Sequence, residues 1–282
     1  MTTVIECRPP IAANPAPNLK AIKAKQQAAW SSGDYTVIGT TLQIVGEQLA
    51  EAMDSRAGQT VLDVAAGNGN ITLAAARRWC EVTSTDYVES LLARGRQRAE
   101  ADGLKVKFRI ADAEDLPFAD ASFDAVVSTF GAMFSPDQDR TAIEMMRVCR
   151  SGGRIGLASW TPEGFIDQLF KTIGKYLSPP SGVRSPAVWG TRSWLETTFA
   201  AAASTFAAEP RRFTFRYRSA QQFLEVFRMY YGPVLKAFEA LEEADRQALA
   251  RDIVDLVERF NVSGDETMVV PGEYLEVIFT KR

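Results

Sequence analysis

Residues 61–70 read VLDVAAGNGN, and this stretch decides the fold. Val61-Leu62-Asp63-Val64 has the near-continuous apolar character of a strand covered on both faces. Gly67 and Gly69 then let the chain turn sharply and let a ligand approach main-chain atoms that a Cβ would shield. A helix, ITLAAARRW, begins at once, so its free N–H groups face the same crevice as the turn. Strand, glycine turn and helix in direct succession open a nucleotide-type βαβ unit.

Downstream the rhythm continues as EVTSTD, SLLARGRQRAEA, VKFRIADA, FDAVVSTF, TAIEMMRVCR and RIGLASW. Short apolar strands alternating with helices predict a parallel sheet covered on both faces. Nineteen residues after Gly67 the second strand ends in Thr85-Asp86, where an acid can accept both hydroxyls of a ribose. The third strand ends in Ala111-Asp112-Ala113-Glu114 and the fourth in Ser128-Thr129-Phe130, so all four ends meet at the carboxyl edge. The dinucleotide register G-x-G-x-x-G fails because Asn70 or Thr72 stands in the third glycine's place, which counts against a nucleotide-dependent oxidoreductase or epimerase.

Three boundaries are expected along this run. Ser135-Pro136-Asp137-Gln138 offers a capping box, Ser151-Gly152-Gly153 a helix stop before the fifth strand, and Thr161-Pro162 the opening of the next helix. Before the sheet, Asn18 can cap a helix to about Trp30, and a second helix from about Val37 to Met53 puts Leu42, Val45 and Leu49 on one face. After it, RRFTFRYR (211–218) alternates with period two, and Ala200 to Ala208 reads as alanine-rich helix or turn. Ser219 to Gln222 forms a capping box ahead of a helix bearing Phe223, Phe227 and Tyr231. Gly232-Pro233 breaks that helix, another follows near 245–260, and EYLEVIFTK is the last strand. The expected organisation is a loose tail over 1–18, a helical extension or cap over 19–56, a core over 57–218, a helical insertion over 219–262, and the last strand within 263–282.

Composition narrows the function classes. The 282 residues carry a net charge of −3, so no global basic field recruits nucleic acid or anionic membrane. There is no histidine, which removes His-based acid–base catalysis, Ser-His-Asp triads and His-containing metal sites. Cys7, Cys80 and Cys149 form no CxxC pair, the N-terminus lacks a signal-peptide layout, and no run approaches the roughly 18 apolar residues of a membrane span. A cytoplasmic protein without membrane insertion is expected.

With these motifs in place, the chain resembles a class I S-adenosylmethionine (SAM)-dependent methyltransferase of the small-molecule type, similar to the ubiquinone/menaquinone-biosynthesis methyltransferase family. The resemblance is strong over about 59–160 and looser beyond. It implies an α/β, Rossmann-like, seven-stranded and mostly parallel sheet with helices on both faces, an N-terminal helical extension and a helical insertion before the last strand. It implies SAM as cofactor and S-adenosylhomocysteine (SAH) as product, without a metal. The family's first motif falls on Asp63, Ala65, Gly67, Asn68 and Gly69, with Ala65 where the family usually has glycine and Asp63 also readable as a structural holder of the loop. The ribose acid falls on Asp86 beside Tyr87. The adenine-reading segment falls on Asp112, Ala113 and Glu114, with Glu114 or Asp115 as alternatives to Asp112. Ser128, Thr129 and Phe130 end the fourth strand. Trp30 and Tyr35 either fold over the cofactor or pack as core.

The acceptor is read from what is missing. Ser128-Thr-Phe-Gly131 carries neither the Asn/Asp-Pro-Pro-aromatic signature of amino-methylating enzymes nor a Pro-Cys nucleophile. That favours a small, largely apolar acceptor over nucleic acid, with Met133, Phe134, Phe223, Phe227 and Tyr231 lining its pocket. Asp34, Tyr35 and Asp139 are the candidates for a base, and the sequence assigns the role to none. The insertion is either a lid or a homodimer interface, and a non-catalytic SAM-binding module is the remaining alternative.

Overall fold

The computed structural model describes residues 17–282, so Cys7 and almost all of the expected tail over 1–18 lie outside the described residues. Seven strands form one sheet: β1 (Thr60–Val64), β2 (Glu81–Asp86), β3 (Val106–Ile110), β4 (Phe123–Thr129), β5 (Cys149–Trp160), β6 (Ala203–Tyr217) and β7 (Met268–Lys281). Their order is β3-β2-β1-β4-β5-β7-β6. The first five are parallel, with Val61 beside Val82 on one side and Ala125 on the other, and β7 runs antiparallel between β5 and β6. Val61, Leu62 and Val64 are all buried, as a strand covered on both faces requires. The strand order reverses between β1 and β4. Open sheets bind ligands outside the carboxyl ends at such a switch point.

The helices are α1 (Leu19–Trp30), α2 (Thr36–Gly39), α3 (Gln43–Ala52), α4 (Asn70–Arg77), α5 (Glu89–Ala101), α6 (Gln138–Val148), α7 (Phe165–Gly174), α8 (Arg192–Phe199), α9 (Ala220–Tyr230), α10 (Gly232–Ala240) and α11 (Glu243–Phe260). Asn18 caps α1 by accepting from the Ala21 N–H, and Ser219 caps α9 by accepting from the Gln222 N–H. In the α9 box the Gln222 side chain returns to the Arg218 N–H. The hairpin of β6 and β7 outruns β5. Trp160 is the last β5 residue to pair with β7, at Tyr274, while residues 268–273 pair with β6 alone. The two longer strands therefore carry α9 to α11 past the carboxyl edge of the parallel strands.

Several expected boundaries move, each for a local reason. The helix expected from Val37 to Met53 is three pieces, α2, a 3-10 turn at Thr40–Leu42, and α3. The Gly39 carbonyl accepts from Asn70 Nδ2 (2.7 Å) instead of continuing the ladder, and two β-branched threonines follow. The face expected of it survives, with Leu42, Val45 and Leu49 all buried. Helix α6 begins at Gln138 rather than at Pro136, because the Asp137 carboxylate is the group that accepts from the Arg140 N–H (3.0 Å). Helix α7 starts three residues beyond Pro162, after Gly164. Ser151-Gly152-Gly153 is not a helix stop. Helix α6 has already ended at Val148, and these residues bulge within β5, between the pairs Phe123–Cys149 and Ala125–Arg154, with Gly152 at φ +73°. Most of the alanine-rich stretch belongs to β6, where pairing with β7 overrides alanine's helical preference. Among the described residues no helix is long and apolar enough to cross a membrane.

Candidate functional site

A cavity opens at the switch point, where open α/β sheets bind small molecules. Its floor is the turn from β1 to α4. Ala65 (φ +53°) and Gly67 (φ +57°) both adopt the left-handed conformation, so alanine at 65 stores strain where glycine would be relaxed. Asp63 is fully buried behind this turn. Its Oδ2 accepts from Thr72 N–H (3.1 Å) and Thr72 Oγ1 (2.5 Å), which fixes the first turn of α4. Ser128 Oγ likewise donates to the Val64 carbonyl and accepts from Ala132 N–H, tying the end of β4 to β1. Asp63, Gly69 and Ser128 thus shape the floor from behind and do not line the cavity.

Burial pushes the Asp63 carboxyl up to about 7, against the pull of the Thr72 bonds, and its Oδ1 has no partner among the described residues. The unfolded chain holds that proton only below about 4. Between about 4 and 7 the folded state binds the extra proton, so stability must fall as pH rises through that window and level off above it. Urea midpoints at pH 5 and pH 7.5 check this; Asp63→Asn is expected to lose that part of the pH difference.

Asp86 does line the cavity. Its Oδ2 accepts from Gly67 N–H (2.9 Å) and its Oδ1 from Val88 N–H (2.8 Å), and burial still pushes the carboxyl up to about 6. Asn68, Tyr87, Ala113 and Glu114 join it there, together with Asp112, whereas Asp115 turns away. Asp112 Oδ1 accepts from Glu114 N–H, and Glu114 Oε1 from Asp137 N–H, so both acids are held by backbone. Between them reaches Lys23 of α1, whose Nζ lies 2.5 Å from Asp112 Oδ2 and also bonds Glu114. Burial works against the lysine's charge, but the two carboxylates outweigh it and hold its pKa above the ordinary value. Gln27 Nε2 donates to the Tyr87 carbonyl (2.7 Å), which pins the same helix face. Sequence reasoning missed Lys23; the available signal was the spacing 23, 27, 30, which puts Lys23, Gln27 and Trp30 on one face of a helix.

The other end of the cavity is aromatic. Trp30 meets Tyr35 at 5.7 Å, Phe134 at 5.0 Å and Tyr231 at 5.5 Å, each edge to face, and Phe130 stacks on Trp160 at 3.9 Å and 6°. Thr129 and Gly131 complete the wall. Trp160 was also missed, since within a strand it reads as ordinary core. Met133 faces the core beside this wall, not the cavity. Of the three aromatic residues expected from the insertion, only Tyr231 reaches the cavity. Phe223 and Phe227 pack against each other at 4.0 Å with rings tilted by 31°, and both pack on Phe215 and Tyr217 of β6. Lys23, Asp86, Asp112 and Glu114 are the charged residues lining the cavity among those described, and all four belong to the first end. Neither Asp34 nor Asp139 lines it: each is paired with an arginine, Asp34 with Arg94 (2.7 Å) and Asp139 with Arg184 (2.7 Å).

A family model described as a methyltransferase domain matches residues 61–153, from β1 into β5. The uncharacterized protein Rv1403c of Mycobacterium tuberculosis is 36% identical over 273 residues, covering 95% of this chain and 97% of that protein. A demethylmenaquinone methyltransferase of Clavibacter sepedonicus is 36% identical over 135 residues, 46% of this chain and 55% of its own. Among solved structures, the YcgJ protein of Bacillus subtilis superposes with a TM-score of 0.57 at 19% identity, over 86% of this chain and 99% of that one, and so shares the fold.

Proposed function

Because the chain belongs to the SAM-dependent methyltransferases, we propose that its switch-point cavity binds SAM with the nucleoside at the acidic end and methylates a small, largely apolar acceptor held among the aromatic rings. The observation that carries this reading is the division of one cavity into an acidic end and an uncharged aromatic end. The residues fit the cofactor. Asp86 can accept ribose hydroxyls, Asp112 can accept from an exocyclic amine while the Ala113 N–H meets a ring nitrogen, and the turn at Gly67 leaves main chain accessible. When bound, SAM supplies a methyl group already activated on a sulfonium. The protein's own task is alignment and exclusion of water, which can contribute about 7–11 kcal/mol.

The aromatic rings do both. Trp30, Tyr35 and Tyr231 close the cavity from above, and their rings can stabilise a neighbouring cation while keeping water out. We read the insertion as a lid rather than an interface, because the apolar stripe a dimer would use is already covered within the chain by Phe215 and Tyr217. Helix α10 also seats closely on α1, where a Cβ at Gly232 would lie 1.9 Å from the Ala29 carbonyl oxygen. The name of the Clavibacter relative supports a ring-shaped acceptor, and the buried free thiols of Cys80 and Cys149 support a reducing, cytoplasmic setting.

Calorimetric titration tests the cofactor half of the reading. SAM and SAH affinity should hold steady above about pH 7 and weaken about tenfold per unit below about pH 6, as Asp86 takes up its proton. Asp86→Ala should weaken both ligands by about 1.5–3 kcal/mol and flatten that dependence. Undiminished affinity in the variant would put the ribose elsewhere.

A further inference from the structure

We propose that Tyr35 and Tyr231 form a two-donor clamp on a single anionic oxygen of the acceptor, and that the acceptor is an acidic phenol or enol methylated on that oxygen. This rests on the methyltransferase reading above and names its substrate class. The two rings come from segments almost two hundred residues apart and meet over the cavity, 6.2 Å between centroids, each braced edge-on by Trp30. Among the described residues neither hydroxyl takes part in a hydrogen bond. Both residues line the cavity and neither hydroxyl is a sealed-off buried atom, so two unbonded donors side by side face a place that a ligand oxygen completes.

The chemistry of the pair selects the ligand. Burial raises both phenols well above their ordinary range, and each would repel the other's charge, so both stay protonated and donate. Neither is a base. The carboxylates of the cavity sit at its nucleoside end, held by backbone N–H groups or by Lys23. An acceptor that must lose a proton inside the cavity finds nothing at the aromatic end to take it, whereas an oxygen ionised in solution has left its proton there beforehand. Such an oxygen has three lone pairs. Two accept from the tyrosines, and the third forms the new bond to the methyl carbon. The carbon–sulfur bond breaks and its electron pair stays on sulfur, so a cation and an anion become a neutral thioether and a neutral ether. In a cavity with few mobile charges that collapse is favoured.

The test uses protein saturated with SAH and two coloured probes, 4-nitrophenol and 2-hydroxy-1,4-naphthoquinone, whose anions absorb in the visible. The bound probe is expected to ionise about one pH unit lower than the free one. Tyr35→Phe and Tyr231→Phe should each weaken the bound anion roughly tenfold and shrink that shift. In Tyr231→Phe the SAH affinity should change less than twofold. SAH binding with no shift of either probe, or with shifts that survive in both variants, overturns the clamp alone. Loss of SAH affinity in Tyr231→Phe in place of probe affinity also overturns it, by assigning that hydroxyl to the cofactor. Failure of the wild-type protein to bind SAH would overturn the methyltransferase reading itself, and the clamp with it.

Discussion

Gly131→Ala is expected to destabilise the protein by at least about 3 kcal/mol and to abolish SAH binding. Gly131 has φ −94°, so alanine suffers no backbone strain there. The effect is steric. A Cβ at this position lies 1.9 Å from the Ala65 carbonyl oxygen and 2.8 Å from the Ala65 Cβ. That carbonyl cannot retreat, because the next two residues are anchored, Ala66 N–H to the Thr85 carbonyl and Gly67 N–H to Asp86. Overpacking costs about 1–3 kcal/mol when side chains can adjust, and more when main chain must move. Gly58→Ala is the control. Its Cβ meets nothing, and only the φ of +82° is strained, which should cost about 1–2 kcal/mol. Urea unfolding of the two variants checks the ranking, and equal midpoints would mean that the approach of β4 to the β1 turn is looser than the structure has it.

Phe227→Ala is the second large effect, about 3–5 kcal/mol of stability. Phe227 is 1% exposed, packed against Phe223 and set against Phe215 and Tyr217, so truncation leaves a cavity beneath α9. Because Tyr231 caps this helix with its N–H donating to the Phe227 carbonyl (3.0 Å), acceptor turnover should fall along with the unfolding midpoint. Light scattering should give the same particle mass for variant and wild type. A drop from dimer to monomer would instead assign this face to an interface.

The acidic end of the cavity was legible because its signals are local. The glycine turn, the nineteen-residue interval to Asp86 and the acids after β3 each follow from chain direction in a parallel sheet, and the sheet's order brings them to one edge. What escaped depends on contacts that no window contains. Lys23 reads as one more charge on an exposed helix until α1 is seated against Asp112 and Glu114. Gly152 reads as a helix stop, yet it serves a bulge whose need arises only from the pairing of β5 with β4. Asp63, by contrast, was readable as a structural holder of the loop, and it does bond Thr72 and does not line the cavity. Phe223, Phe227 and Tyr231 read as one helical stripe, but α9 ends at Tyr230 and Tyr231 is extended at the joint with α10, so the first two rest on the sheet while the third lines the cavity.

In a crystal structure of the protein with SAH, the ribose hydroxyls are expected within hydrogen-bond distance of Asp86, the adenine beside Asp112 and Ala113 with Lys23 displaced from at least one of its carboxylates, and the sulfur facing the rings of Trp30, Tyr35 and Tyr231. Density for the nucleoside among those aromatic rings, or for SAH anywhere outside this cavity, would contradict that placement.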